Sequence, residues 1–220
     1  MVHRSELIKH FEAAHRKGWR VSRDNFPEAV DEFFPARDKL FRALERFSPG
    51  EVKYLILGQD PYPSQDANGI AFSVERNPQE GPLPQALVRI MKHIHPIGGG
   101  SPSLDDWITK KKILLLNSAL TVPKANDGRP PSSGAGGHLH LWQSFITSIV
   151  VQLKQDNPNA QLVAWGVEAR KLMRAALGKS GVFTTCRHPS RPHESFEQFW
   201  QTPVGQSLCM ESPLSPGTRR

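Results

Sequence analysis

Cysteine is scarce in this chain. Cys186 and Cys209 are the only two in 220 residues, they form no C-x-x-C pair, and neither has a histidine partner at zinc-ligand spacing. That excludes a disulfide scaffold and gives no sign of a structural zinc. Long hydrophobic runs are missing as well: no window approaches the roughly 20 apolar residues of a membrane span. The opening stretch MVHRSELIKHFEAAHRKGW carries charge every few residues instead of the apolar core of a signal peptide. Neither G-x-G-x-x-G nor G-x-x-x-x-G-K follows any apolar run, which argues against the common dinucleotide and P-loop sites. Negative charge is in deficit, with 21 acidic against 28 basic residues and a formal net charge of +7, a balance that favours a polyanionic partner such as nucleic acid. The expectation is a soluble, monomeric protein of one globular domain over residues 1–200, in a reducing cytoplasmic setting, without metal, cofactor or membrane.

What the sequence does contain is an alternation. Four short apolar runs have strand length and composition: VKYLILG (52–58), KILLLN (112–117), AQLVAWG (160–166) and GVFTTCRH (181–188). Between them PQALVRIMKHIH (84–95), LWQSFITSIVVQLKQ (141–155) and VEARKLMRAAL (167–177) repeat Leu, Ile and Val at three- and four-residue steps, the period of an amphipathic helix. Two further helices are expected before the first strand, over SELIKHFEAAH (5–15) and ARDKLFRALERF (36–47). Continuously apolar strands alternating with helices imply an α/β fold, a central four-stranded parallel twisted sheet flanked by helices on both faces. Residues 98–103 and 123–138 read as loops, and the Pro- and Ser-rich segment 201–220 as a fraying tail.

Open α/β sheets bind ligands outside the carboxyl ends of their strands. The first run ends at Gln59, Asp60 and Tyr62, the second at Asn117, the third at Gly166 and the fourth at His188. An acid, an amide, a bare backbone and an imidazole are therefore expected along one edge. Taken singly, Asn117 also reads as a turn residue and His188 as an ordinary loop histidine before Pro189.

The combination is more specific. GQDPY at 58–62, FSV at 72–74, LLLNSALTV at 114–122, WG at 165–166 and HPS at 188–190 occur in an order and spacing that resembles the uracil-DNA glycosylases over roughly residues 50–200. The resemblance implies hydrolysis of the N-glycosidic bond of deoxyuridine in DNA, with the base flipped out of single- or double-stranded DNA into a pocket at the strand ends. It also implies the roles. Asp60 would stabilise the cationic sugar and position water, and a neutral His188 would donate to uracil O2. Asn117 would read N3–H and O4, Phe72 would stack on the base, Tyr62 would close off the C5 position against thymine, and Gln59 would line the pocket. Gly166 would let a phosphate approach, with Pro63, Ser64, Ser190, Arg191 and Pro192 also facing the DNA. Proteinaceous glycosylase inhibitors are implied as partners.

The chemistry suits these residue types. Breaking the bond leaves an oxocarbenium-like sugar and a delocalised base anion, so one carboxylate and one neutral donor suffice where ordinary glycoside hydrolysis needs two carboxyl groups. The chain departs from the family's pattern after DPY, where Pro63 and Ser64 follow, at Val167 in place of a serine, in the short GPLP segment, and at HPSRPH, where a wedge leucine is replaced by Arg191 and Pro192. Two alternatives follow from those departures: a related glycosylase with a shifted substrate range, or a catalytically silent DNA-binding module on the same fold.

Overall fold

The computed structural model describes residues 1–75, 81–94, 104–124 and 137–210. The expected loop at 98–103 and most of that at 123–138 lie outside the described residues. In chain order the elements are β1 (Val2–His3), α1 (Arg4–His10), α2 (Glu12–Arg16), β2 (Ala29–Val30), β3 (Phe33–Phe34), β4 (Tyr54–Gly58), α3 (Gln85–Ile94), α4 (Asp105–Lys111), β5 (Ile113–Asn117), β6 (Val122–Pro123), α5 (Leu139–Asp156), β7 (Gln161–Trp165), α6 (Val167–Leu177), β8 (Thr184–Cys186), α7 (Glu194–Phe199) and α8 (Pro203–Leu208).

The four expected strands form one parallel sheet in the order β5-β4-β7-β8. All five residues of β5 are buried, as are the last four of β4 and of β7. Successive side chains point to opposite faces of a sheet, so both faces are covered, which is why these runs are continuously apolar rather than alternating. The helices supply the cover through single stripes: Ala86, Leu87, Ile90 and Ile94 on α3, and Ala169, Leu172 and Met173 on α6. After β5 the chain crosses β4 to build β7 on its other side, so the order reverses between β4 and β7. Ligand crevices of open α/β sheets lie at such a switch point. Here it is bounded by Gln59 and Asp60 on one side and Gly166 on the other.

Two expectations are corrected. Residues 36–47 are not a helix but one short 3-10 turn, Arg37–Lys39, followed by turns. The backbone hydrogen bonds of this segment are chiefly of the i→i+3 turn kind, such as the Leu40 N–H to the Arg37 carbonyl and the Leu44 N–H to the Phe41 carbonyl, and the Lys39 carbonyl packs so closely on Gly69 that a Cβ there would lie 1.7 Å from it. The tail does not begin at 201. Thr202 caps α8 by accepting from the Gly205 amide, Leu208 is fully buried, and its carbonyl accepts from Trp107 Nε1 at 2.6 Å. Tyr54 on the sheet donates to Ser207 Oγ at 2.9 Å. Residues 211–220 lie outside the described set. Among the described residues no helix is long and apolar enough to cross a membrane.

Candidate active site

Asp60 follows β4 by two residues and is mostly buried. Its Oδ2 accepts from Gln59 Nε2 at 2.9 Å, while Oδ1 is buried without a partner among the described residues. Burial raises the pKa of the carboxyl, the Gln59 hydrogen bond pulls it down, and the negative charge of Glu168 pushes it up again. Gln59 thus spends its amide on Asp60, and its carbonyl accepts from the Ala119 amide at 3.0 Å, tying the β4 end to the segment after β5.

Phe72 is not in a strand. It has φ 63, in the left-handed region, an uncommon conformation for a non-glycine residue. Its carbonyl accepts from the Tyr62 hydroxyl at 3.1 Å, and its ring lies 5.3 Å from that of Trp165 and 5.4 Å from that of His188. The ring edge and Asn117 Oδ1 meet over Gly58, where a Cβ would come within 2.7 Å of each. Asn117 closes β5 in register with Gly58 and is buried. Tyr62, Asn68, Ile70, Phe72, Asn117 and Leu120 line the resulting cleft.

His188 packs its Cβ over Gly166, which has φ 110 and would bring a Cβ of its own within 3.2 Å. The Ser190 backbone N–H donates to His188 Nδ1 at 3.1 Å. A backbone N–H can only donate, so Nδ1 is the bare nitrogen and a neutral ring carries its proton on Nε2. Burial lowers the pKa to about 4, which keeps the ring neutral near pH 7.

A larger opening lies beside this cleft, lined by Gly166, Val167, Arg170, Cys186, Arg187 and Ser195. Both arginines and Val167 are exposed at the start of α6 and the end of β8. Pro63 and Ser64 sit in the turn after Tyr62, where Ser64 Oγ accepts from the Asp66 amide at 3.2 Å. Ser190, Arg191 and Pro192 are exposed in a short loop from β8 to α7.

The structure therefore gathers Asp60, Tyr62, Phe72, Asn117, Gly166 and His188 at one sheet edge. Sequence reasoning missed Asn68, a buried residue whose Nδ2 donates to Ser73 Oγ and whose Oδ1 accepts from the Ile70 amide. The Asn-Gly pair at 68–69 was its available signal, since asparagine side chains commonly bond two residues onward in turns. Arg170, Arg187 and Arg89, whose Nη1 donates to the Pro189 carbonyl at 2.8 Å, had no such local signal. Among the described residues no group of three or more His, Cys, Asp or Glu side chains is placed to hold a metal ion.

Comparison with known proteins identifies the family. The sequence model of the uracil DNA glycosylase superfamily matches residues 44–202. A uracil-DNA glycosylase of Streptococcus thermophilus is 36% identical over 172 residues, covering 76% of this chain and 73% of the relative. One from bovine herpesvirus 1.1 is 32% identical over 167 residues, covering 73% and 76%. Among solved structures, mimivirus uracil-DNA glycosylase superposes with a TM-score of 0.62 at 25% identity, covering 86% of this chain and 70% of that one. A mimivirus UNG variant in complex with UGI superposes at 0.59 and 29% identity, and there this chain spans 72% of its own length and 58% of the other's. By sequence and by fold, the chain belongs to the uracil DNA glycosylase superfamily.

Proposed function

We propose that this chain hydrolyses the N-glycosidic bond of deoxyuridine in DNA, releasing uracil and leaving an abasic site. The observation that carries the reading is the pairing of a buried carboxylate, Asp60, with a neutral imidazole, His188, whose free proton is on Nε2, both beside a cleft walled by Tyr62, Phe72 and Asn117.

The Asp60 carboxylate faces the need of the transition state for negative charge next to the sugar, and its unpartnered Oδ1 can accept a proton from the attacking water. As the C1′–N1 bond breaks, its electron pair passes to the base and spreads towards O2, where the His188 Nε2–H donates without transferring its proton. Water oxygen bonds to C1′, and its proton ends on the carboxylate or the departing base. Asn117 suits uracil because one amide can accept from N3–H and donate to O4. The exposed Arg170 and Arg187, beside the backbone of Gly166 and Val167, suit the phosphates of the strand that carries the flipped base.

We read the enzyme as a metal-free and cofactor-free monomer acting on single- or double-stranded DNA in the cytoplasm, where its free Cys186 and Cys209 would stay reduced. The complex of the mimivirus relative with UGI supports a proteinaceous inhibitor as a further partner. The test is incubation, with and without EDTA, of oligonucleotides holding one U, T, C or 5-hydroxymethyluracil, single- and double-stranded, followed by alkaline cleavage at abasic sites. Cleavage at U alone, unaffected by EDTA, is expected. Cleavage only at the modified base would show a shifted substrate range, and none at any base would show a silent DNA-binding module.

A further inference from the structure

Arg89, in the second turn of α3, reaches a residue one hundred positions later. Its Nη1 donates to the carbonyl oxygen of Pro189 at 2.8 Å. That carbonyl and the Ser190 N–H belong to one peptide group, and the same N–H donates to His188 Nδ1 at 3.1 Å. A trans peptide is planar, with its oxygen and its hydrogen on opposite sides, so holding the oxygen sets the direction in which the N–H points. The guanidinium also polarises the carbonyl, and chains of hydrogen bonds reinforce one another in a partly buried setting.

The support for Arg89 is rigid. Ile90 and Ile94 of α3 are fully buried. One turn beyond Arg89, His93 Nε2 lies 2.9 Å from Glu197 Oε2, and its ring stacks on Trp200 at 4.8 Å and 10°. Pro189 itself is buried. The helix thus grips the loop that carries His188 at Pro189 and again at α7, where the loop ends.

We infer that Arg89 is a positioning residue for His188: acting through the Pro189–Ser190 peptide, it fixes the imidazole in one orientation and in the Nε2–H tautomer, and directs positive charge towards the side on which the base anion forms. The inference rests on the role proposed above for His188. Without Arg89 the peptide is held at one end only, the N–H can swing away from Nδ1, and the ring is free to carry its proton on either nitrogen.

The experiment compares wild type with Arg89→Met, which keeps the stem, and Arg89→Lys, which keeps a single cationic donor. Steady-state uracil release and the imidazole ¹⁵N resonances of His188 at pH 7 are both measured. For Arg89→Met we expect kcat to fall by about tenfold, the scale of one hydrogen bond to a charged group, with KM unchanged and a second tautomer visible at Nδ1. Arg89→Lys should restore the single tautomer and most of kcat. An Arg89→Met enzyme with wild-type kcat, or with a lower melting temperature and an unaltered Nε2–H signature, would overturn the inference. The resonance signature needs no turnover, so a wild type that releases no uracil would refute the proposed activity while a tautomer shift on substitution would still support the positioning role.

Discussion

The Tyr62 hydroxyl donates to the carbonyl oxygen of Phe72 at 3.1 Å, so two aromatic residues that line the cleft are fastened to each other. Phe72 stands at φ 63, and such a conformation persists only where surrounding contacts hold it. Here those are the Tyr62 bond and the ring contacts to Trp165 and His188.

That link separates two functions of Tyr62. An apolar pocket that merely tolerates a methyl discriminates by only about 1–3 kcal/mol, so exclusion of thymine requires the ring to stand in the way. Tyr62→Phe keeps the ring and loses one hydrogen bond. It should cost about 1 kcal/mol of stability, slow uracil release a few-fold and still reject thymine. Tyr62→Ala should release thymine detectably from normal DNA. Strict uracil specificity in the alanine variant, measured with the oligonucleotide assay, would place the C5 boundary elsewhere.

Asp60 sets activity against stability. Its folded pKa is raised, chiefly by burial, so between the unfolded value and the folded one the native state holds more protons than the unfolded chain. Stability from this group is therefore present at low pH and lost as pH rises through the folded pKa. Asp60→Asn removes the buried charge and can still accept from Gln59. It should lower kcat by roughly two to four orders of magnitude, the range of one positioned acid or base, while raising the melting temperature at pH 7 and leaving it nearly unchanged near pH 4. Thermal unfolding at the two pH values, with kcat measured on the same samples, checks both halves.

Much of this site was legible because strand ends are. Runs such as ILLLN need no partner to be recognised as doubly buried, and once the strands are placed, Asp60, Asn117, Gly166 and His188 fall on one edge. Helices α4, α7 and α8 were not legible. They are six or seven residues long, too short to show a period, and Trp107, Phe196 and Leu208 are buried by partners remote in sequence. Residues 36–47 misled for the opposite reason: Leu40, Phe41, Leu44 and Phe47 are buried at helical spacing, yet the backbone closes mostly i→i+3 turns, and periodicity does not tell the two apart. Gln59 turning to Asp60, and Arg89 reaching Pro189, are side-chain choices that periodicity does not encode.

His188 predicts an acid-side loss of stability. Its folded pKa is lowered by burial to about 4 from an ordinary value of 6.5, so between those values the unfolded chain binds the extra proton and the native state does not. The stability contribution is complete above about pH 6.5 and is lost as pH falls towards 4. Urea midpoints of the wild type should therefore drop between pH 7 and pH 4.5, and His188→Gln should flatten that drop. Some slope should remain, because burial also lowers the pKa of His93 and His138; Asp60, whose pKa burial raises, acts in the opposite direction. An identical slope in the variant would show that His188 titrates normally in the folded protein.

The final prediction concerns the loop after His188, where Ser190, Arg191, Pro192 and His193 are all exposed and none offers a large apolar side chain. Extracting a base from a duplex costs a few kcal/mol in stacking and pairing, least when the base is mispaired or single-stranded. An apolar wedge helps hold the vacated gap open. Arg191 can pair with a phosphate or stack its guanidinium, but as a charged side chain it gives up favourable hydration to enter the gap. Single-stranded uracil and U·G pairs should then be processed faster than U·A. If Arg191 and the Arg170–Arg187 opening contact phosphates as proposed, activity should fall steeply with salt. Pro192→Leu should raise activity on duplex U·A more than on single strands, and Arg191→Ala should reduce the salt slope. Equal turnover of single-stranded U and duplex U·A by the wild type, with Arg191→Ala indistinguishable from it, would show that flipping is assisted by a different part of the surface.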